Sequence, residues 1–394
     1  MKHIGNINRN EKIDIVVKCL GFYFLMMPFD SFPMFGMGSL LKIIVLLPIV
    51  AIFCIHKNSK LKINKLTLIF ITYVLANVIT CFYSVNIEAS FSELKRLLLN
   101  SLVIFSVGGV YLNYTACELK YLIKKLVIGG IITAIMTLFF ADVSHGGRLT
   151  LSVNGATQDQ NYLNGYMLFA FAFFMNKAIA EKKFLYLIPS LCLLFFTLMT
   201  GSRGALLAFA VVVLMIFIIN TFSSPRMKIG IILTAIIICI IVVVGYQDFL
   251  SLLPEEIAVR FTPDYIANYK GTNRSDLWIE ILKIYKEGSI GRQLFGYGYG
   301  TVPTVNTFNH LVAHNLWLDH LITGGVLGLI LMTCMHAVFL REAWRNKNAV
   351  IFATYAGYLT MCMTLSLSNY KPLWNAMMMI MILYNVNNKI KEKK

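Results

Sequence analysis

Apolar residues run along this chain in blocks separated by short polar connections. A helix crossing ~30 Å of hydrocarbon needs about 17–25 such residues. Twelve blocks reach or approach that length: 15–29, 39–56, 66–83, 97–112, 121–141, 162–180, 184–200, 204–220, 228–246, 316–340, 350–367 and 372–387. The pattern breaks once, between Gln247 and Asn315, where polar and aromatic residues predominate. Within that break, S275-D276-L277-W278-I279-E280-I281-L282-K283-I284-Y285 places apolar residues at 277, 278, 281, 282, 284 and 285. This spacing predicts an amphipathic helix on the membrane face or capping the bundle, with Ser275 as its N-cap. The expected fold is an all-α polytopic membrane protein of about 12 transmembrane helices, with residues 1–394 forming a single integral membrane domain and 247–315 a large extracytoplasmic loop within it.

Composition agrees with this reading. The chain is 58% hydrophobic and 14% charged, more apolar than a water-soluble globule requires. Its net charge of +16 would suggest nucleic acid in a soluble protein. Placed on the helix scheme with both termini cytoplasmic, 22 of the 35 Lys and Arg residues fall in inside segments and 12 in outside segments, with Lys18 in the first span. Half of the outside ones lie in the single long loop, a length at which the positive-inside bias weakens. The charge is therefore an orientation signal, and no nucleic-acid role is needed. The eight cysteines are scattered, without C-x-x-C, and read as small core residues. Met1 to Asp14 is polar and leads into an apolar run without a small-residue cleavage site, resembling a first membrane segment more than a removed signal.

Candidate chemistry gathers on the outside face. T200-G201-S202-R203-G204-A205 sets an arginine between two apolar blocks, and an ionisable group at membrane depth marks a functional site by default. The plain alternative is a snorkelling flank residue, although the outside is the less favoured side for one. Arg148 precedes Asp159, Asn161 and Tyr162 in D-Q-N-Y; Arg274 opens R-S-D-L-W; His314 and Asn315 lie in A-H-N-L-W-L-D-H. Taken singly, Arg274 reads as a solvated helix charge, and His314 as a capped helix end or a satisfied core histidine. L294-F295-G296-Y297-G298-Y299-G300 lacks the G-x-x-x-x-G-K-[ST] spacing of a phosphate loop and reads as a tight turn with interfacial Tyr297 and Tyr299. His145, His310 and His320 are weaker candidates. As a set, two or three arginines suit phosphate oxygens, which the planar guanidinium grips bidentately, and a histidine suits proton removal from a hydroxyl. No D-x-D pair or His/Asp cluster suggests a metal, and no cofactor is expected.

Three motifs in order, T-G-S-R-G-A, R-S-D-L-W leading to L-F-G-Y-G-Y-G, and A-H-N-L-W-L-D-H-L-I-T-G-G-V-L-G, resemble the O-antigen ligase and O-antigen polymerase family of bacterial envelope polysaccharide enzymes. The likeness covers roughly residues 145–330; the earlier blocks match only in hydropathy. It implies a GT-C-like helical glycosyltransferase of the bacterial cytoplasmic (inner) membrane, working on its periplasmic face with an undecaprenyl-diphosphate-linked glycan. The family's two key arginines fall on Arg203 and Arg274 and its histidine on His314. The arginines would hold the leaving diphosphate and His314 would take the acceptor hydroxyl proton, with inversion at the anomeric carbon and no metal. Arg148, Asp159, Asn161, Tyr297, Tyr299 and Asn315 are added as substrate contacts. Gly201, Ser202, Gly204 and Ala205 would let the lipid approach Arg203.

A polymerase joins lipid-linked repeat units, whereas a ligase moves the finished chain to lipid A-core. The moderate loop, the D-Q-N-Y segment and an R-x10-G spacing at Arg260 and Gly271 lean towards a polymerase, with a flippase and a chain-length regulator as partners. The ligase stays open. So does a transporter or flippase of lipid-linked sugars, although the chain lacks the paired half-repeats typical of that class.

Overall fold

The computed structural model describes residues 12–29, 41–55, 63–144, 147–153, 156–221, 246–268, 274–307 and 310–392. They fold into a helical bundle. The principal helices are α1 (Ile15–Met26), α2 (Leu47–Ile55), α3 (Lys65–Cys81), α4 (Ile87–Phe105), α5 (Ala116–Phe139), α6 (Gln160–Ala180), α7 (Leu187–Met199), α8 (Arg203–Thr221), α9 (Arg274–Glu287), α10 (Leu316–Arg345), α11 (Ala349–Met361) and α12 (Lys371–Glu392).

Among the described residues four helices are long and apolar enough to cross a membrane: Ala116–Phe139, Gln160–Ala180, Arg203–Asn220 and Leu316–Arg345. Four shorter apolar helices, Ile15–Phe29, Lys65–Cys81, Phe184–Met199 and Ala349–Met361, join them. The expected block 39–56 is divided, with α2 following a separate four-residue helix, Leu41–Ile44. The block 97–112 is only the second half of α4, which starts at Ile87 behind an Asn86 cap and ends in a π turn, Ser106–Val110. The block 350–367 stops being helical at Met361. Most of 228–246 lies outside the described residues.

This is a membrane protein, and its surface shows it. Leu68, Leu75, Ile79 and Phe82 are exposed along α3 and its end, and Ile87, Phe91, Leu98 and Leu102 along α4. Spacings of three, four and seven put each set on one helix face. Such stripes are costly in water and suited to lipid. By contrast, α12 is buried on every side: each residue from Trp374 to Leu383 is at most 4% exposed. Close packing depends on small residues. A Cβ on Gly357 of α11 would lie 2.9 Å from both Leu168 and Val212, so that glycine admits α6 and α8 together.

The all-α expectation needs one correction. Between α5 and α6 lies a three-stranded antiparallel sheet, β1 (Ala141–Ser144), β2 (Arg148–Val153) and β3 (Ala156–Gln158), in the order β1-β2-β3. Ser144 pairs with Arg148 and Leu151 with Gln158. The strands are too short and polar to stand out beside membrane helices. They fix where Arg148 emerges.

The loop helix α9 forms where the apolar spacing predicts it, but it begins at Arg274, so Ser275 lies in its first turn and is not the cap. Its Leu277 and Ile281 pack with Val302, Ala313 and Ile322 in a second, smaller core. The helix therefore caps the start of α10. That start is itself broken. Gly325 has φ +63° and interrupts the helical backbone. The carbonyls of Ile322 and Thr323 lose their helical partners and accept instead from Tyr297 N (2.8 Å) and Gly298 N (3.0 Å) of the glycine-tyrosine turn. The approach is so close that a Cβ on Gly325 would lie 2.4 Å from the Leu294 carbonyl. Irregular backbone at this depth is tolerated because protein groups complete its hydrogen bonds.

Candidate active site

The ends of α7, α8 and α10 meet β2, the start of α6 and the loop helices at one end of the bundle. At the opposite end Glu342 receives Lys65 (2.6 Å) and Arg345 (3.6 Å).

Arg148 reaches from β2 to two helix ends. Its Nε donates to the Thr200 carbonyl (2.8 Å), which closes α7, and a terminal nitrogen donates to Asn161 Oδ1 (3.1 Å) in the first turn of α6. Asp159 caps that helix, accepting from Asn161 N (2.7 Å) and Tyr162 N (3.2 Å). One turn along the chain, Gly201 has φ +59°, a conformation that suits glycine, and this lets the backbone reverse before Arg203 opens α8. The Gly201 carbonyl accepts from Arg260 Nε (3.2 Å), and the Arg260 guanidinium lies against the Tyr265 ring at 5.8 Å. The small residues around Arg203 are filled by protein. A Cβ on Gly201 would meet Arg260 at 3.0 Å, and one on Gly204 would meet Thr364 at 2.3 Å. The expected lipid slot at these two glycines is therefore occupied.

Arg274 faces the same space. It interacts electrostatically with Arg203, Arg260 and Asp159, and Arg148 interacts with Arg260, Arg274 and Asp159. Four arginines thus share one neighbourhood, in which Asp159 is the carboxylate that acts on both Arg148 and Arg274. Burial, then the adjacent Arg260, pushes the Arg148 guanidinium down to about 10. Burial also lowers Arg274, with Asp159 opposing and Arg203 adding to the fall. Among the described residues neither Arg203 nor Arg274 closes a hydrogen bond or an ion pair. A concentrated positive field with unspent N–H donors is a site for a polyanion.

His314 completes the group. Its φ is +48°, in the left-handed region uncommon for a residue with a side chain. The peptide of Ala313 is held at both ends: its N–H donates to Asp319 Oδ1 (3.3 Å) and its carbonyl accepts from Trp278 Nε1 (2.9 Å). Trp278 lies one turn after Arg274 on α9, so the two motifs are locked in register. Asn315 caps α10, accepting from Trp317 N and Leu318 N, and donates to the Met363 carbonyl (3.2 Å). His314 Nδ1 is buried without a hydrogen-bond partner. Burial, then Arg274, holds the imidazole below its ordinary range, with Asp159 pulling the other way. The ring is neutral near pH 7 and able to take a proton.

The structure thus brings Arg148, Arg203, Arg274, His314, Asp159 and Asn161 together, and adds Arg260, Asp319 and Trp278. Asn315 is beside them, but its amide is engaged in capping. Tyr297 is elsewhere: its hydroxyl donates to the Ile284 carbonyl (3.3 Å) and its ring packs in the second core. Tyr299 lines an adjoining cavity. His320 is a satisfied core histidine, within hydrogen-bond reach of Tyr73 Oη (2.9 Å) and the Leu316 carbonyl. His145 lies outside the described residues. Asp319 carried a signal in its sequence position, as a carboxylate inside an apolar block. Arg260 carried only its spacing to Gly271.

Residues 188–333 match the family described as O-antigen ligase. That match spans α7, α8, the loop helices and most of α10, and so includes Arg203, Arg260, Arg274 and His314. It supports the O-antigen ligase and polymerase family indicated by the three motifs. No curated protein matches the chain. A chain from a solved structure described as "Structural coordination of polymerization and crosslinking by a peptidoglycan synthase complex" is 14% identical, with 81% of this chain and 96% of that chain covered and a TM-score of 0.49. Similarity of that size assigns neither fold nor activity.

Proposed function

We propose that this O-antigen ligase-family protein is a surface-polysaccharide polymerase. It would join undecaprenyl-diphosphate-linked repeat units at the outer face of the bacterial cytoplasmic membrane, with both termini cytoplasmic. The observation carrying this reading is the convergence of Arg148, Arg203, Arg260 and Arg274 beside a half-buried His314 whose Nδ1 has no hydrogen-bond partner.

The chemistry follows from those groups. The acceptor hydroxyl oxygen attacks the anomeric carbon of the donor sugar as its proton passes to the neutral His314. The bond from that carbon to the diphosphate oxygen breaks, and the diphosphate leaves with the electron pair. Attack opposite the leaving group inverts the anomeric configuration. The departing charge would be met by the arginine N–H groups of this partly desolvated site, where fixed donors stabilise most. Asp159 moderates the positive field. A flippase would deliver the lipid-linked unit, and a chain-length regulator would act beside the enzyme in the membrane.

The test is reconstitution of the purified protein with undecaprenyl-diphosphate-linked repeat unit alone, and then with lipid A-core added. A ladder from the donor alone supports the polymerase. Product only in the presence of lipid A-core makes the protein a ligase. No product from folded protein in either tube points to transport of the lipid-linked sugar.

A further inference from the structure

At the end of the bundle opposite the arginine cluster lies a cavity of about 580 Å³, within the range of small-molecule sites. Its walls are the start of α5, the ends of α6, α8 and α12, and the turn that joins α10 to α11. Part of the lining is apolar: Leu119, Ile123, Val350, Leu383 and Val386 are each at most 7% exposed. The rest is polar and holds five asparagines, at 176, 220, 346, 348 and 387, together with Lys120 and Lys347. Amides set among membrane helices are costly unless they find partners.

Those amides are partly spent on each other and on helix ends. Asn220 Nδ2 donates to Asn176 Oδ1 (3.3 Å) and to the Ile216 carbonyl (2.8 Å). Asn387 Nδ2 donates to Asn346 Oδ1 (2.7 Å), and Asn346 Nδ2 to the Glu342 carbonyl (2.7 Å). Asn348 Oδ1 caps α11, accepting from Ile351 N (3.2 Å). Among the described residues this leaves two amide donors, Asn176 Nδ2 and Asn348 Nδ2, and two amide acceptors, Asn220 Oδ1 and Asn387 Oδ1. Asn176 decides the matter. It is only 7% exposed, yet its Nδ2 has no acceptor and is not sealed off: it keeps open surface, and the space that this residue lines is the cavity. A nearly buried donor left open in this way calls for a partner. The charge is one-sided. Lys120 and Lys347 are cations, while Glu181, the carboxylate in the lining, is already paired with Lys177 and Lys183. The partner is therefore an anion.

We propose that this cavity binds the headgroup of an anionic glycerophospholipid. The phosphate takes the donors of Lys120, Lys347 and Asn176. Headgroup hydroxyls meet the free oxygens of Asn220 and Asn387. The glycerol ester region lies against the apolar part of the lining. A soluble phosphate compound would use the same donors but leave that apolar surface in water, so the lipid fits the whole cavity. Basic pockets between membrane helices suit anionic headgroups in this way. On the topology proposed above, the lipid belongs to the cytoplasmic leaflet, on the opposite side from the chemistry. The site does not depend on the transferase reading.

The experiment is native mass spectrometry of the detergent-purified full chain, titrated with three probes. These are phosphatidylglycerol, phosphatidylcholine with the same acyl chains, and glycerol phosphate as the soluble anion. The wild type is expected to hold phosphatidylglycerol about tenfold more tightly than either of the others. Lys120→Gln combined with Lys347→Gln, and separately Asn176→Asp, are each expected to weaken that binding about tenfold or more. Asn176→Asp keeps the oxygen that Asn220 bonds and replaces the free donor with a negative charge. Both lysines are exposed, so the double variant tests the site without disturbing the core. Thermal unfolding in lipid-free detergent reports the folding of each variant. Equal binding of the two lipids, or phosphatidylglycerol binding unchanged in the double variant, overturns the inference. Glycerol phosphate bound as tightly as the lipid makes the cavity a soluble-anion site and overturns the lipid assignment.

Discussion

Replacing Arg260 tests the central electrostatic claim at a residue that spacing alone scarcely marks. Its Nε is committed to the Gly201 carbonyl at 3.2 Å and its guanidinium rests near Tyr265, which restrains the side chain beside Arg148 and Arg203. A hydrogen bond to a charged group contributes about 1.5–3 kcal/mol. If the terminal nitrogens meet the diphosphate as it leaves, Arg260→Ala should lower kcat/KM roughly 10- to 150-fold. Arg260→Lys should recover only part of this, because an ammonium cannot bond Gly201 and present a fork at once. The fall should appear mainly in kcat, since charge on the diphosphate grows as the bond breaks. The assay is initial-rate polymer formation in proteoliposomes against lipid-linked donor concentration, with folding checked by thermal unfolding. A folded Arg260→Ala protein retaining kcat/KM within about twofold of wild type, less than the weakest such bond would cost, would refute the reasoning. Arg260 would then be a strut for the turn before α8.

Arg203→Ala, Arg274→Ala and His314→Ala should each abolish polymer formation without preventing membrane insertion, as read by glycan gels and immunoblots of membrane fractions; normal glycan with any of them removes that residue from the site. Arg203→Lys should also be poor, and full activity would make Arg203 a flank residue only. Because burial and Arg274 lower the pKa of His314, the base stays neutral down through its unperturbed range near 6.5, and kcat/KM should fall only as pH drops further. An acid limb centred at or above pH 7 would contradict that. Gly325→Ala places a Cβ 2.4 Å from the Leu294 carbonyl at a φ of +63°, and should lower the unfolding temperature by several degrees; an unchanged transition would mean the turn and the helix break separate without cost.

Much of the helical frame was legible because apolar length is a direct record of lipid contact. The blocks at 15–29, 66–83, 162–180 and 204–220 correspond closely to described helices. The first half of α4 was missed because Glu88, Glu93, Lys95 and Arg96 dilute its hydropathy, although Asn86 offered an N-cap signal. Of the site, the order of T-G-S-R, R-S-D-L-W and A-H-N-L-W was readable. What joins the motifs was not. The Trp278 to Ala313 hydrogen bond and the Arg260 to Gly201 contact cross 35 and 59 residues of chain. No local pattern encodes either. Tyr297 misled because an interfacial tyrosine and a packed one have the same neighbours in sequence.

The break at Gly325 divides α10 into a short stub and a spanning shaft. The stub, with the His314 turn before it, is bolted to the loop by the Tyr297 and Gly298 amides and by Trp278. The shaft, from Val326 to Arg345, has about 20 residues and reaches roughly 30 Å. Helices tilt when the bilayer thins or thickens around them. A tilt of the shaft taken up at Gly325 would leave the His314 turn fixed to the loop. On the proposed function, the spacing between His314 and Arg274 would then be independent of membrane thickness.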